Sequence, residues 1–201
     1  MMIGARTAAW AKSGGGFVPK YEDGTVFEIE LIDGDDLNVT LACRSEIVSN
    51  SWVKFGVDMG DGTEYVANIS TISHTYERPG RYVVQIEGKA RRVDLGITCS
   101  GNIIGQYITN IIRWSDALTS LSQTMDLNNH ANRLNCILPK WPDNCVNAYY
   151  AYRNCKGFTG VFSEDENLLM PSRITNHPGC VTNCSSDVRS KFRSDWGGTK
   201  T

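Results

Sequence analysis

The sequence has no long hydrophobic run and no large excess of charge of either sign. Its longest strongly apolar run is far shorter than the ~20 residues that a membrane-spanning helix needs. The 20 basic and 22 acidic side chains leave a formal net charge of −2, so no broad basic face for a polyanion is indicated. The sequence therefore predicts neither membrane insertion nor nucleic-acid binding.

The N-terminal segment also lacks the apolar core of a secretory signal peptide. Arg6 is not followed by an apolar stretch of ~7–15 residues. The chain has seven cysteines, which is an odd number. Without an export signal, such cysteines are more often reduced thiols than a disulfide framework. We therefore expect a protein that folds in a cytoplasm.

Catalytic motifs are missing as well. No Gly-x-Ser-x-Gly element, P-loop or His-Glu-x-x-His motif occurs, so we expect no catalytic residue and no cofactor. Asp58 and Asp61 could ligate calcium, although carboxylates in such turns usually cap the turn. The zinc alternative uses His177, Cys180 and Cys184, but no second closely spaced ligand pair completes a tetrahedron. We expect no bound metal.

Residues 1–22 are mostly small and polar and contain three consecutive glycines at positions 14–16. Such a segment cannot bury enough apolar surface to fold alone. It is expected to be a flexible N-terminal arm. If the arm lies on a neighbouring subunit, Trp10 and Phe17 are its candidate anchors.

Residues 23–96 carry the pattern of short β-strands. From Thr25 to Leu31, apolar and mixed positions alternate, and a turn cluster at 33–36 separates this run from a second one at 37–43. The two runs predict a hairpin. Further alternating runs at 52–57, 65–72 and 82–86, with turn clusters between them, favour a β-sandwich.

The segment DMGDGT (58–63) has two glycines around an aspartate, which suits a tight turn that Asp61 caps. Downstream, Tyr76 precedes the turn dipeptide Pro79-Gly80 and an alternating strand. We expect the Tyr76 ring to be buried and its hydroxyl to bond to the backbone. His74 is expected to be a strand residue rather than a base.

DMGDGT followed by SHTYERPGRYVVQI resembles the polycystic kidney disease (PKD) domain, an immunoglobulin-like sandwich. The family is marked by a W-D-F-G-D-G element and an H-T-Y-x-x-P-G-x-Y-x-V element, and both occur in order within residues 25–95. Val57 stands where the family has tryptophan. The resemblance implies adhesion, spacing or presentation rather than catalysis.

After residue 96 the alternation gives way to Asn, Cys and single large apolar residues at wider spacing. Residues 134–138 can be aligned with 158–162 at an offset of 24, and 192–196 align with the latter at an offset of 34. Periods in the twenties are typical of leucine-rich solenoids. Residues 114–196 also loosely resemble BspA-type leucine-rich repeats of bacterial and phage surface proteins, through Cys155–Gly160. We therefore predict a short leucine-rich-repeat-like α/β solenoid cap over residues 97–201.

Several aromatic residues of this part could form a sugar-binding surface or pack between repeats: Trp114, Trp141, Tyr149, Tyr150 and Tyr152. Tyr149 and Tyr152 are three apart, so a helical turn would place them on one packed face. Tyr150 lies on another face. Trp141 and Tyr150 are the candidate contact residues of this part of the chain.

Taken together, the sequence predicts a mainly β, non-enzymatic structural or adhesion protein with an arm, a PKD-like sandwich and a solenoid cap. Modules of extracellular display without an export signal suggest a bacteriophage virion protein, on the tail or decorating the capsid. Its partners would be other virion subunits or itself, and a glycan or protein of the host surface. The alternative is a bacterial cell-surface adhesin.

Overall fold

A computed structural model describes residues 20–45, 47–48, 51–96, 102–127 and 133–200. Short strands dominate it. They are β1 (Thr25–Leu31), β2 (Asn38–Ser45), β3 (Ile47–Val48), β4 (Ser51–Trp52), β5 (Phe55–Asp58), β6 (Glu64–Ala67), β7 (Ile69–Thr75), β8 (Gly80–Ile86), β9 (Ala90–Asp94), β10 (Ile108–Arg113), β11 (Cys136–Leu138) and β12 (Phe158–Val161). The helices are α1 (Glu166–Leu169), α2 (Ser186–Arg189) and two 3-10 turns at Ile104–Tyr107 and Ser194–Trp196.

Two antiparallel sheets form the N-terminal part. One has the strand order β10-β1-β8-β5-β6 and the other the order β7-β2-β9, and β3 pairs with β4 in a small separate ribbon. Alternate side chains of β1, β2 and β8, including Phe27, Ile29, Leu41 and Val84, are fully buried in one core. Apolar burial of this kind is what holds two sheets together. The predicted sandwich is therefore present.

The predicted hairpin between the first two runs is wrong. β1 pairs with β8 and β10, whereas β2 pairs with β7 and β9 in the other sheet. The turn between β1 and β2 crosses from one sheet to the other. Within this turn, the Asp35 carboxylate accepts a hydrogen bond from the Ile32 N–H at 2.6 Å. Alternation shows which side chains face the core, but it does not show which strand lies alongside.

The five-stranded sheet extends past the predicted domain boundary at residue 96. β10, from the part assigned to the cap, pairs with β1 along its length. The sequence of β10 mixes isoleucine with polar residues and does not alternate clearly, so the strand was not predicted. Its pairing register with β1 is interrupted twice. The sheet therefore continues into the region predicted to be the separate cap.

Beyond β10, three segments of chain lie on one another in parallel. We name them coil 1 (118–127), coil 2 (145–155) and coil 3 (174–184). Ser120 bridges to Asn147, and Asn147 bridges to Asn176, so equivalent positions are 27 and 29 residues apart. Backbone hydrogen bonds repeat along each step, with Met125 N–H donating to Ala151 O and Tyr152 N–H donating to Cys180 O.

The same ladder joins the coils to the sandwich. Arg92 in β9 bridges to Ser120, and the Leu95 N–H donates to Thr124 O at 2.8 Å. A second link joins the segment between coil 1 and β11 to the sandwich. There, Arg133 forms a bidentate ion pair with the Asp35 carboxylate, at 2.6 and 2.7 Å, and this pair lowers the pKa of Asp35. Buried side chains of both parts form one contiguous core. The coils and the sandwich therefore share hydrogen bonds and one hydrophobic core.

The observed stacking differs from the sequence alignment in register. β11 and β12 are parallel, but Cys136 lies opposite Phe158 and Leu138 opposite Val161, an offset of 22 to 23 residues instead of 24. Residues 194–196 form a 3-10 turn rather than a third extended segment, and α2 packs against β12. Within the described residues, no helix is long and apolar enough to cross a membrane.

Candidate interaction surface

The loop between β5 and β6 is built from the DMGDGT segment. The Asp58 carboxylate accepts from the Gly60 N–H at 2.8 Å, and the Asp61 carboxylate accepts from the Thr63 N–H at 2.9 Å. Gly60 has φ +84°, and a Cβ there would lie 2.6 Å from Val83 O. A side chain at that position would therefore require both a strained backbone and a displaced strand. The two aspartates cap the turn, as expected.

His74 ties this loop to β7. Its ring is 5% exposed, with Nε2 at 2.8 Å from the second Asp61 oxygen and Nδ1 at 3.1 Å from the Tyr65 hydroxyl. The carboxylate accepts the Nε2 proton, and the Tyr65 hydroxyl shares a hydrogen bond with Nδ1. The histidine of the His-Thr-Tyr motif thus has a hydrogen-bonding role in the scaffold.

Tyr76, two residues further on, anchors the other end of the same loop. Its ring is 1% exposed and stacks on Tyr82 with ring centroids 4.1 Å apart. Its hydroxyl donates to Met59 O at 2.9 Å, and burial raises the pKa of Tyr76. The predicted buried ring with a backbone hydrogen bond is confirmed.

Replacing Asp61 with alanine should lower the free energy of unfolding by about 1–3 kcal/mol, because buried His74 Nε2 loses its acceptor. Asp33→Ala is the matched control, since Asp33 lies in an exposed turn, and it should change stability by less than about 0.5 kcal/mol. Urea unfolding measures both. Equal effects of the two substitutions would show that the Asp61–His74 contact does not stabilise the loop.

The residues considered for a calcium site and for a zinc site do not form a metal-binding cluster among the described residues. Among the described residues, no group of three or more His, Cys, Asp or Glu side chains is placed to hold an ion. Asp58 and Asp61 serve as turn caps. His177 stacks on Trp196 with centroids 4.2 Å apart, and the Cys184 thiol donates to Tyr152 O at 3.0 Å.

Of the four predicted contact residues, Trp10 and Phe17 lie outside the described residues. The prediction that Trp141 is a contact residue is wrong. Its side chain is 1% exposed, and its indole N–H donates to Leu169 O at 2.7 Å. The ring packs between Tyr152 and Trp196. A residue enclosed in this way cannot provide a contact surface.

The three tyrosines of coil 2 have different environments. Tyr152 is fully buried, and its hydroxyl accepts from the Trp114 indole N–H at 2.6 Å. Tyr149, which was expected to pack with it, is half-buried next to Tyr150 instead, with ring centroids 4.1 Å apart. Tyr150 has φ +51°, so the backbone leaves the helical path that the three-residue spacing assumes. Tyr150 remains a candidate contact residue.

A polar ladder runs through the coils behind these rings. Arg153 lies over the Tyr150 ring, 4.0 Å from its centroid, and forms an ion pair with the fully buried carboxylate of Asp126 in coil 1. The Asn183 amide of coil 3 donates to the Asn154 side-chain oxygen of coil 2 at 3.0 Å. A buried carboxylate needs such partners to be tolerated. The ladder fixes the geometry of the edge on which Tyr149 and Tyr150 lie.

At the same edge an open pocket of about 530 Å³ crosses coil 2, coil 3 and the C-terminal turn. Its lining includes Tyr150, Arg153, Thr182, Asn183, Ser194 and Asp195. Gly179 and Gly197, both with positive φ, form part of the wall. Apart from Tyr150, sequence reasoning missed these residues, because the pocket joins three segments whose register the sequence does not reveal. Gly179 and Gly197 were the only sequence features that could have pointed to this pocket.

The six cysteines in the described part of the chain are free thiols, and most are buried. Cys155 donates to Met125 O at 2.9 Å, and Cys184 donates to Tyr152 O. Burial raises the pKa of Cys184 to about 12 and also raises that of Cys155. The reactive thiolate form is therefore disfavoured.

We expect native protein at neutral pH to react slowly with iodoacetamide at these buried thiols. All seven cysteines should react quickly in denaturant without a reductant. Intact-mass spectrometry counts the added groups. Fewer than seven in denaturant, with recovery after reduction, would reveal disulfides and contradict folding under reducing conditions.

The comparisons with known proteins bear on the sandwich. Residues 25–92 match the family model described as PKD domain. No curated protein and no solved structure gives a significant match, and nothing in the comparisons supports the leucine-rich-repeat resemblance of residues 114–196. The sandwich is thus PKD-like, and this supports a structural or adhesion role.

Proposed function

We propose that this chain is a non-enzymatic structural and adhesion protein of a bacteriophage particle, on its tail or decorating its capsid. The observation that carries the proposal is the continuous ladder from β9 through coils 1, 2 and 3. It makes the PKD-like sandwich and the coils one continuous support, and the Tyr149–Tyr150 edge lies on coil 2 of this support. We interpret the coils as a short solenoid that presents this edge.

The thiols favour a virion over a bacterial surface adhesin. Cys155 and Cys184 act as hydrogen-bond donors within the coil core, which requires their reduced form. A particle protein folds in the reducing cytoplasm of its host and is displayed when the particle leaves. An exported adhesin would meet an oxidising environment earlier. Its partners in the particle would be other subunits or further copies of this chain.

The edge should carry the contact to a neighbouring subunit or to the host surface. Tyrosine side chains give a large contact area for little loss of conformational entropy. The test is the double substitution Tyr149→Ser with Tyr150→Gln. Glutamine is chosen because Gln123 holds the equivalent position of coil 1, with φ +57°. Val146→Ser, on the exposed flank of coil 2, is the control.

Binding to host cells and to particles that lack the protein is measured for each variant by sedimentation. We expect the double variant to lose about tenfold or more in affinity, with a melting temperature close to that of wild type, while the control binds normally. Unchanged binding by a folded double variant would contradict the role of this edge. Rapid proteolysis of the coils in that variant would show that the two rings are packing residues instead.

A further inference from the structure

We propose that the pocket beside Tyr150 binds an uncharged pyranose sugar. The inference rests on the proposed attachment function and names the ligand that the coil edge would take. The pocket volume of about 530 Å³ lies within the range of ~300–1,000 Å³ that is usual for small-molecule sites. Its chemistry identifies the class of ligand.

The charges around the pocket favour a neutral ligand. Within the described part of the chain, each charged side chain of the lining has an ion-pair partner. Arg153 is neutralised by the buried carboxylate of Asp126, and Asp195 pairs with Arg193 at 3.3 Å. A phosphate or carboxylate ligand would find no unpaired cation, and it would meet the Asp195 carboxylate. A free cation would have to compete with Arg193.

The hydrogen-bonding groups match a ligand with many hydroxyls. Asn183 uses its amide N–H on Asn154, which leaves its side-chain carbonyl oxygen as an acceptor. Thr182 and Ser194, which also line the pocket, add hydroxyl groups. Asp195 adds carboxylate oxygens. Each sugar hydroxyl both donates and accepts, so a mixed set of this kind can satisfy it. A purely apolar ligand would leave these groups unpaired.

The remaining wall offers apolar surface to the C–H groups of a sugar. Pro178 and the edge of the Tyr150 ring supply this surface, because Tyr149 and the Arg153 guanidinium pack against the faces of the ring. At Gly179 a Cβ would lie 2.1 Å from Tyr150 Cε1, and at Gly197 it would lie 2.4 Å from Thr182 Oγ1. The backbone therefore approaches these side chains closely. Because the Arg153 guanidinium stacks on Tyr150, the position of the ring is fixed before a ligand arrives, which lowers the cost of binding.

The test uses the full chain and isothermal titration with glucose, galactose, mannose and N-acetylglucosamine. Glucuronate and glucose 6-phosphate are the anionic comparators. At least one neutral sugar should bind, and neither anion should bind more tightly. Thr182→Val and Asp195→Asn should each weaken the binding about tenfold, as expected for a lost hydrogen bond to a ligand.

Thr159→Val and Asp143→Asn are the matched controls, since both positions are exposed and lie outside the pocket. They should leave the affinity unchanged. If Thr182→Val fails to fold, Ser194→Ala removes a second, exposed hydroxyl of the lining and should weaken the binding instead. Absence of binding by all four neutral sugars, tighter binding of an anion, or full affinity in the folded pocket variants would each overturn the proposal.

The outcome separates this inference from the proposed function. A protein that attaches to particles or cells but binds no neutral sugar contradicts the pocket assignment alone. A protein that binds the sugar in this pocket, yet is absent from phage particles, contradicts the virion assignment alone.

Discussion

Replacing Tyr76 with alanine should lower the free energy of unfolding by about 3–5 kcal/mol, the usual cost of removing a large buried aromatic side chain. The ring is 1% exposed and is stacked between Tyr82 and the edge of His74, and its hydroxyl holds Met59 O in the DMGDGT loop. Both the core and the turn lose contacts. Urea unfolding followed by tryptophan fluorescence measures the change.

Tyr76→Phe separates the ring from the hydroxyl. It keeps the packing but leaves Met59 O without its donor, so a loss of roughly 1–3 kcal/mol is expected. If Tyr76→Ala shifted the unfolding midpoint no more than Tyr76→Phe does, the ring would contribute little, and the explanation of the PKD motif by its packing would be wrong.

Replacing Tyr152 with alanine should have an effect of similar size, about 3–5 kcal/mol. Tyr152 is the fully buried centre of an aromatic cluster with Trp141 and Phe158, and its hydroxyl accepts from the Trp114 indole. Removing it opens a cavity between coils and leaves the indole N–H unpaired. Calorimetry measures the change in melting temperature and the number of transitions.

The same experiment tests whether the coils and the sandwich form one unit. Because β9 bonds to coil 1 and the buried residues form a single core, we expect one cooperative transition that shifts to lower temperature as a whole. Tyr149→Ala, in the same coil but half-buried, is the control and should shift it far less. A second, unshifted transition from the sandwich would show that the two parts unfold independently.

The sandwich was predictable because the alternation of apolar residues and the PKD-like motifs both indicate it. Alternation predicted which side chains of β1 and β8 are buried, and the motif around Tyr76 predicted a specific hydrogen bond. The pairing of β1 was not predictable, since a turn such as 33–36 can either close a hairpin or cross to the facing sheet. Long-range partners such as β10 depend on contacts that local periodicity does not contain.

The coils were only partly predictable. A repeated unit was expected, but its register was not, because equivalent positions are filled by dissimilar residues such as Leu121, Ala148 and His177. Their spacing also changes from 27 to 29 residues. Trp141 was predicted to be a contact residue because aromatic side chains provide a large contact area. Aromatic residues are just as suitable for a core, and only the packing around Trp141 shows that it is buried. Because Tyr150 has a positive φ, the helical spacing that predicted Tyr149 and Tyr152 on one packed face does not apply.

The most direct test of the proposed function is to look for the chain in purified particles. Particles released from the bacterial culture that carries the gene are purified on a density gradient, and the chain is quantified by mass spectrometry and located by immunogold electron microscopy. We predict a fixed number of copies per particle, with gold at the tail or on the capsid surface. Recovery of the chain only from the cell envelope, with none in the particles, would contradict the proposal and favour a bacterial surface adhesin.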